Sequence, residues 1–326
     1  MDSNMQSEIT VIVVTYGALL ADLLQTVSSV LQQVDVKYDI VVSDDGSPDN
    51  HFKELKRYFE SVSFDDYKLV PSLENSGTVR NLARGIEVAE SNIIKPLSPG
   101  DYLYDRFVLS KIVAVMQRTQ APVVFGKAVY YSTMGNGCEI HNRRNPQIML
   151  PYKLHLQRLS SKLVQKHQIL YRDLVLGAAV AYRLDKAKAY IEVLIKAHVK
   201  YCEDYMVQVA LLERDAVGYL DEFIVWYEYG SGISTQKENR WNSELMAEER
   251  RFLDYMNSCY PENKYLSKKR NVNCRLFKLA FKLSRKVYRC RAYDMSLLIQ
   301  HLKALPMHNY EFLNGDSDKN LPFNTL

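Results

Sequence analysis

Asp44 and Asp45 follow the β-branched run Ile40-Val41-Val42 and precede Gly46-Ser47. A buried strand that stops at two carboxylates places them at its carboxyl end, where open α/β sheets bind ligands. Gly46 allows a sharp turn, and Ser47 or Asp49 can cap a following helix. In isolation Asp-Asp-Gly-Ser reads as an ordinary polar turn, and its company in the chain changes that reading. Glu74-Asn75-Ser76-Gly77-Thr78-Val79-Arg80-Asn81 is a polar turn opening a helix. Its backbone donors, with Arg80 beside them, suit a phosphate or a sugar hydroxyl. The alternative is a capped helix whose Arg80 and Arg84 face water. In Ser98-Pro99-Gly100-Asp101 the proline and glycine force a tight turn that carries Asp101 to its tip. Glu203-Asp204 precedes the apolar stretch Met206–Glu213. A helix there favours ionised carboxylates at its start, and the pair reads either as chemistry or as a cap.

The elements that position these residues follow from periodicity. Ile9–Thr15, Ile40–Val42, Tyr67–Pro71, Asn92–Leu97, Val123–Tyr131, Val175–Tyr182 and Ala216–Tyr227 read as strands. Leu19–Val34, Phe52–Phe59, Leu82–Ala89, Phe107–Gln117, Tyr190–Ile195 and Met206–Glu213 read as helices. The chain thus opens strand–helix–strand, a right-handed parallel crossover. Residues 132–168 carry weak periodicity and are expected to be loops and short helices. No Gly-x-Gly-x-x-Gly follows the first strand, which disfavours a nicotinamide dinucleotide fold and a Walker loop alike.

The 326 residues, 47% of them hydrophobic, can bury one large core with or without an appendage. The five cysteines form no Cys-x-x-Cys pair, so neither a disulfide framework nor a zinc site is expected. Residues 1–10 lack the apolar core of a signal peptide. No apolar run approaches the about 18 residues of a membrane span. A reducing cytoplasm is the expected compartment. From Lys264 to Arg291 there are eleven Lys or Arg and no acid, so the net charge of +4 leaves −7 on the remainder. A mildly acidic body with a basic appendage suits an anionic partner for the appendage alone.

Taken in order, Thr15-Tyr16, Ser43-Asp44-Asp45-Gly46-Ser47, Asn75-Ser76-Gly77 with Arg80-Asn81, Leu97-Ser98-Pro99-Gly100-Asp101-Tyr102-Leu103 and Glu203-Asp204 resemble the family-2 glycosyltransferases of the GT-A fold. The resemblance covers residues 8–235 or so. It implies an α/β fold with a mixed sheet flanked by helices, and an inverting transfer from a nucleotide-sugar donor, UDP-linked, to a glycan or lipid-linked acceptor in surface polysaccharide assembly. By motif, Thr15, Tyr16, Asp44, Asp45, Asn75, Gly77, Arg80 and Ser98 would bind the donor. Tyr16 would flank the base, Asp45 would accept from a uracil N–H, and Arg80 would lie near the phosphates. Asp101 would hold a divalent metal, Mn²⁺ or Mg²⁺. Asp204 would be the general base, with Glu203 beside it. Ser98 and Gly100 stand where the family usually carries acids, and Gly17 stands where it frequently has Asn.

Domain boundaries are expected at 1–237 for the catalytic unit and 238–326 for a basic, mainly helical extension. Asn242–Tyr255 reads as a charged amphipathic helix. Further on, Arg275, Lys278, Lys282, Arg285, Lys286 and Arg289 share one helical face. Such a helix either lies on an anionic membrane surface through residues 264–291, making the protein peripheral on the inner face, or docks on the catalytic unit. No nucleic acid is expected, because no binding motif accompanies the charge. Two other classes stay open: a catalytically inactive scaffold of the same fold, and a nucleotidyltransferase, which would favour a glycine-rich basic loop after the first strand.

Overall fold

The computed structural model describes residues 7–134, 137–141, 143–147, 152, 161–230 and 240–270, together with 279 and 283. The chain opens with β1 (Ile9–Thr15), α1 (Leu20–Leu31), β2 (Tyr38–Asp44), α2 (Phe52–Ser61) and β3 (Tyr67–Val70). Then follow α3 (Thr78–Val88), β4 (Ile93–Leu97), β5 (Tyr102–Leu103) and α4 (Val108–Thr119). The hairpin β6 (Val123–Met134) and β7 (Gly137–His141) precedes the short helix α5 (Ser161–Gln165). Next come β8 (Val180–Arg183), α6 (Leu184–Lys196), α7 (Met206–Leu212) and β9 (Val217–Glu228). The helices α8 (Arg240–Cys259) and α9 (Lys264–Arg270) end the described chain.

Among the described residues the strands form one sheet in the order β3-β2-β1-β4-β8-β6-β9-β5, with β7 on β6. Strands β3, β2, β1 and β4 are mutually parallel. Strand β8 is antiparallel to both its neighbours, β4 and β6. The β-branched run of β1 explains why it sits centrally. Ile9, Val11 and Val13 pack on one side with α1, α2 and α4, whereas Ile12 and Val14 pack on the other with α3, α6 and α7. Alternate residues point to opposite faces, so a strand covered on both faces must be apolar at every position.

Because β1, β2 and β4 are parallel, their carboxyl ends share one edge, and Thr15 pairs with Asp44 there. The expected strand Val175–Tyr182 is shorter. A 3-10 turn occupies Gly177–Ala179, and the strand begins at Val180. The Ala178 carbonyl in that turn accepts from the buried Lys95 Nζ at 2.5 Å instead of joining a ladder. Within 132–168, expected to hold loops, β6 continues to Met134 and pairs with β7. The two-residue strand β5 has too short a period to be read in sequence.

Phe252, Met256 and Leu266 on α8 and α9 are buried in the core layer that also holds α3, α6 and α7. Phe252, 1% exposed, stacks on Tyr205 with ring centroids 4.7 Å apart. Residues 240–270 therefore share the core on the α3, α6 and α7 side of the sheet. The expected boundary near 237 and the basic helical face from Arg275 to Arg289 lie outside the described residues.

Candidate active site

The end of β2 builds the first corner. Asp44 Oδ2 accepts from the amides of Gly46 and Ser47 at 3.0 and 2.9 Å, and its Oδ1 accepts from Ser47 Oγ at 2.5 Å. Asp44 thus folds its own turn, and Ser47 Oγ in turn accepts from Gly17 N at 2.8 Å, tying in the loop after β1. Asp45, 2% exposed, reaches the start of α3. Its Oδ1 accepts from Ser76 N, Ser76 Oγ and Arg84 Nη2 at 3.0, 2.9 and 2.5 Å, and its Oδ2 from Gly77 N at 2.7 Å. Beneath them Asn81 is buried, donating to Thr15 O at 3.1 Å and accepting from Ser43 Oγ at 2.7 Å. Beyond this corner the Tyr16 ring stands 57% exposed.

The expected donor-rich helix start is largely spent within the protein. Ser76 N and Gly77 N serve Asp45, and Val79 N donates to Lys200 O at 3.0 Å. Gly77 permits that last approach. Its φ is +90°, and a Cβ there would lie 2.6 Å from Lys200 O. Lys200 N and Tyr201 N are held in turn by the fully buried Glu248 of α8, at 2.8 and 3.1 Å.

The second corner lies on the turn after β4. Asp101 N donates to Ser98 O at 2.9 Å, closing the turn, and Tyr131 Oη donates to Gly100 O. Asp101 is buried, and its Oδ1 accepts from Glu228 N at 3.1 Å. Burial pushes its carboxyl up to about 7, with the Glu228 charge adding to the rise and Lys95 pulling it back. Lys95 is buried inside β4 and donates to Pro96 O and Ala178 O, and desolvation brings its ammonium down to about 7.

Glu203 and Asp204 occupy a 3-10 turn, Glu203–Tyr205, ahead of α7. The expectation was that the helix dipole would keep both ionised. Burial raises both carboxyls above the ordinary carboxylate range, ahead of a helix of only seven residues. Glu203 is raised further, because the Asp204 and Asp101 charges add to burial there. Asp204 is pulled back by the Arg172 guanidinium, itself paired with Glu249 of α8 at 3.0 Å. Gly177 lies against this pair, a Cβ there falling 2.8 Å from Glu203 Oε1.

Of the expected residues, Thr15, Asp44, Asp45 and Gly77 meet at one corner, and Asp101 is close enough to Glu203 to act on its charge. Arg80 and Asn75 are exposed. Arg84 contacts Asp45 in Arg80's stead, so the view that Arg84 only faces water is corrected. Asn81 and Arg84 lie three residues apart, hence on one helical face, and that spacing was the available signal. Lys95, Arg172 and Glu228 carry no motif. Among the described residues, the one group of three His, Cys, Asp or Glu side chains gathered within 4.8 Å is Asp49, His51 and Glu54, on the turn after β2. Asp101 belongs to no such triad, so a cation there would complete its shell with substrate phosphates and water, as Mg²⁺ commonly does.

A mixed sheet between two helical layers, with carboxylates gathered at the carboxyl edge of its parallel half, is the GT-A fold. The model of the family described as Glycosyl transferase family 2 matches residues 10–178, just over half of the chain, and the chain belongs to that family. Among solved structures it is similar to S. aureus TarS 1-349, with 16% identity over 96% of this chain and 91% of that one and a TM-score of 0.47. It is also similar to the structure of TarS 1-349 in complex with UDP-GlcNAc, with 14% identity over 96% of this chain and 92% of that one and a TM-score of 0.49. No curated protein matches the chain in sequence.

Proposed function

We propose that the chain is an inverting glycosyltransferase that moves a hexosyl group from a UDP-sugar to a hydroxyl of a glycan or lipid-linked acceptor in surface polysaccharide assembly. The observation that carries this reading is the convergence of Asp45, Asp101 and the pair Glu203-Asp204 at one edge of the sheet, with Asp101 and Glu203 in electrostatic contact. The exposed Tyr16 ring flanks the base. Asp45 accepts the uracil imide proton through Oδ2, which carries one internal donor against three on Oδ1. Arg84 fixes that carboxylate, and Arg80 reaches the donor from the exposed side of α3.

Asp101 would hold a divalent cation, Mn²⁺ or Mg²⁺, which when bound would supply charge neutralisation for a diphosphate leaving group. The donor set fits: a buried carboxylate crowded by other carboxylates gains from a cation. Asp204 takes the proton of the acceptor hydroxyl as its oxygen bonds the anomeric carbon. The bond from that carbon to the phosphate breaks, UDP departs, and the single displacement inverts the centre. Glu203, more strongly raised, supports the turn that aims Asp204. The reacting side chains lie within residues 1–237, and α8 supports them from outside that span. The basic face within 238–326 holds this cytoplasmic enzyme peripherally at an anionic membrane surface.

A panel of UDP, ADP and GDP with Mn²⁺ in thermal unfolding tests the donor. UDP at about 100 times its Kd adds roughly 2.7 kcal/mol of stability, and Asp45→Ala erases the preference. Equal stabilisation by all three nucleotides removes the uridine assignment. Slow, metal-dependent hydrolysis of a UDP-sugar separates an enzyme from an inactive scaffold.

A further inference from the structure

We infer that Lys95, buried inside β4, is a positioning residue for transfer: it holds the turn Gly177–Ala179 from one face of the sheet, and that turn backs Glu203 and Asp204 on the other. Its effect on rate rests on the reading of Asp204 as the base.

An ammonium is costly inside a sheet unless its donors are met. The sequence of β4 supplies the reason for one here. β4 pairs with β8 through Ile93↔Arg183 and Ile94↔Tyr182, but Pro96 has no N–H with which to continue that ladder. Ahead of Val180 the neighbouring chain folds instead as the 3-10 turn. Lys95 Nζ stands in for the missing donor, giving one hydrogen to Pro96 O at 2.8 Å and one to Ala178 O at 2.5 Å. The lysine thus anchors a segment that the ladder cannot reach.

Alternation puts Lys95 on the face of Ile93 and Leu97, where Ala178 and Ala179 also pack with α1 and α4. Tyr205 and Met206, next in line after Asp204, are buried on the opposite face with α3 and α6. Gly177 joins the two. A Cβ there would fall 2.8 Å from Glu203 Oε1 and 3.6 Å from Asp204 Cβ, so the turn lies against both residues. The carbonyl that Lys95 holds belongs to the very next residue. The Lys95 charge also acts on Asp101, so one side chain faces the cation turn and the base's turn alike.

Amide hydrogen exchange of the full chain tests the anchor without an acceptor. Lys95→Met keeps the stem and removes every donor. It is expected to speed exchange about tenfold or more in peptides spanning 176–183 and 202–206, with β1 and α1 unchanged. Unchanged exchange at 202–206, which makes no bond to Lys95, overturns the inference, and so does faster exchange spread evenly along the chain. Lys95→Gln keeps an N–H donor on a shorter stem, should fall between Lys95→Met and the parent, and carries the test if Lys95→Met does not fold. Turnover of UDP-glucose, UDP-galactose and UDP-N-acetylglucosamine by water, with Mn²⁺, gives the effect on rate. kcat of Lys95→Met should fall about tenfold or more at parental KM, because a slight misplacement of a reacting group is felt in the rate. Gly177→Ala disturbs the same turn from its other end, so the double variant should lose less than the product of the two single losses. Multiplicative losses, or parental kcat in Lys95→Met, overturn the role in transfer. Full activity in Asp204→Asn, beside loosened 202–206 in Lys95→Met, overturns the base and leaves the anchor standing.

Discussion

The Asp45 carboxylate receives the Arg84 guanidinium at 2.5 Å while also receiving both amides of Ser76 and Gly77. One buried acid therefore organises the loop before α3, and one arginine pairs with it. Arg84→Ala leaves the acid buried with its amides but no cation. Breaking a buried pair costs about 3–5 kcal/mol, and the partly exposed arginine puts this case near the lower end. Arg80→Ala, on the exposed side of the same helix, is expected within about 0.5 kcal/mol of the parent. Urea unfolding of the two variants, with UDP affinity in parallel, checks the contrast. Equal losses would place both arginines in one role.

Asp204→Asn keeps the shape of the turn but takes no proton. Donor binding should survive, while transfer falls by about 10²- to 10⁴-fold, the usual contribution of a positioned base. Glu203→Gln should lose less. A fully active Asp204→Asn protein would remove the base from this residue.

The pH profile gives a second handle on the same base. Burial raises Asp204 above the ordinary carboxylate range, so kcat/KM should fall on the acid side at a higher pH than about 3.9, the value for an exposed Asp. Arg172 lowers the Asp204 pKa, so Arg172→Gln should move that limb to still higher pH. A limb that stays in place shows that Arg172 does not act on the base.

Lys95 makes a stability prediction with a definite sign. Its folded pKa, near 7, is below its value in an unfolded chain, so between pH 7 and about 10 the unfolded state binds more protons. Stability should rise with pH through that window, with a slope contribution of up to about 1.4 kcal/mol per unit. In Lys95→Met this contribution disappears. Denaturant melts at several pH values check it, and an unchanged slope would show that Lys95 stays charged in the fold.

Glu248 and Phe252 test how α8 supports the site. Phe252→Ala empties a buried stacking position beside Tyr205 and should cost about 3–5 kcal/mol. Glu248→Ala leaves Lys200 N and Tyr201 N without their acceptor, at about 1–3 kcal/mol for each buried donor. Its distinguishing effect should be on kcat, since Lys200–Asp204 loses its anchor. A variant with lowered stability and unchanged kcat assigns Glu248 to folding alone.

The parallel half of the sheet is legible in the sequence because burial on both faces selects the continuous β-branched runs Val11–Val14 and Ile40–Val42. The motif residues are legible for a related reason: they close turns at strand ends, where Gly, Pro and Asp have local work to do. What each carboxylate touches is not legible. Asp44 turns back on its own loop and Asp45 crosses to α3, although they are adjacent and chemically identical. Arg80 and Arg84 lie four apart on one helical face, and which of them meets Asp45 is set by how α3 sits against β2. Lys95 meets Ala178 and Glu228 meets Asp101, residues distant in the chain, and local patterns carry no trace of such contacts. The Glu203-Asp204 turn shows a balance of magnitudes, since a short helix offers a weak field and burial offers a stronger opposing one.

The contact of Glu248 with Lys200 and Tyr201 has a bearing on how the enzyme is made. A ribosome releases every motif residue, through Asp204, before it has synthesised α8. Until Glu248 and Phe252 emerge, the amides of Lys200 and Tyr201 and the face of Tyr205 lack these partners, and the segment 200–205 is not clamped to the loop before α3. A nascent chain of this protein carries every motif residue well before it carries the middle turns of α8, which hold Lys200, Tyr201 and Tyr205 in place.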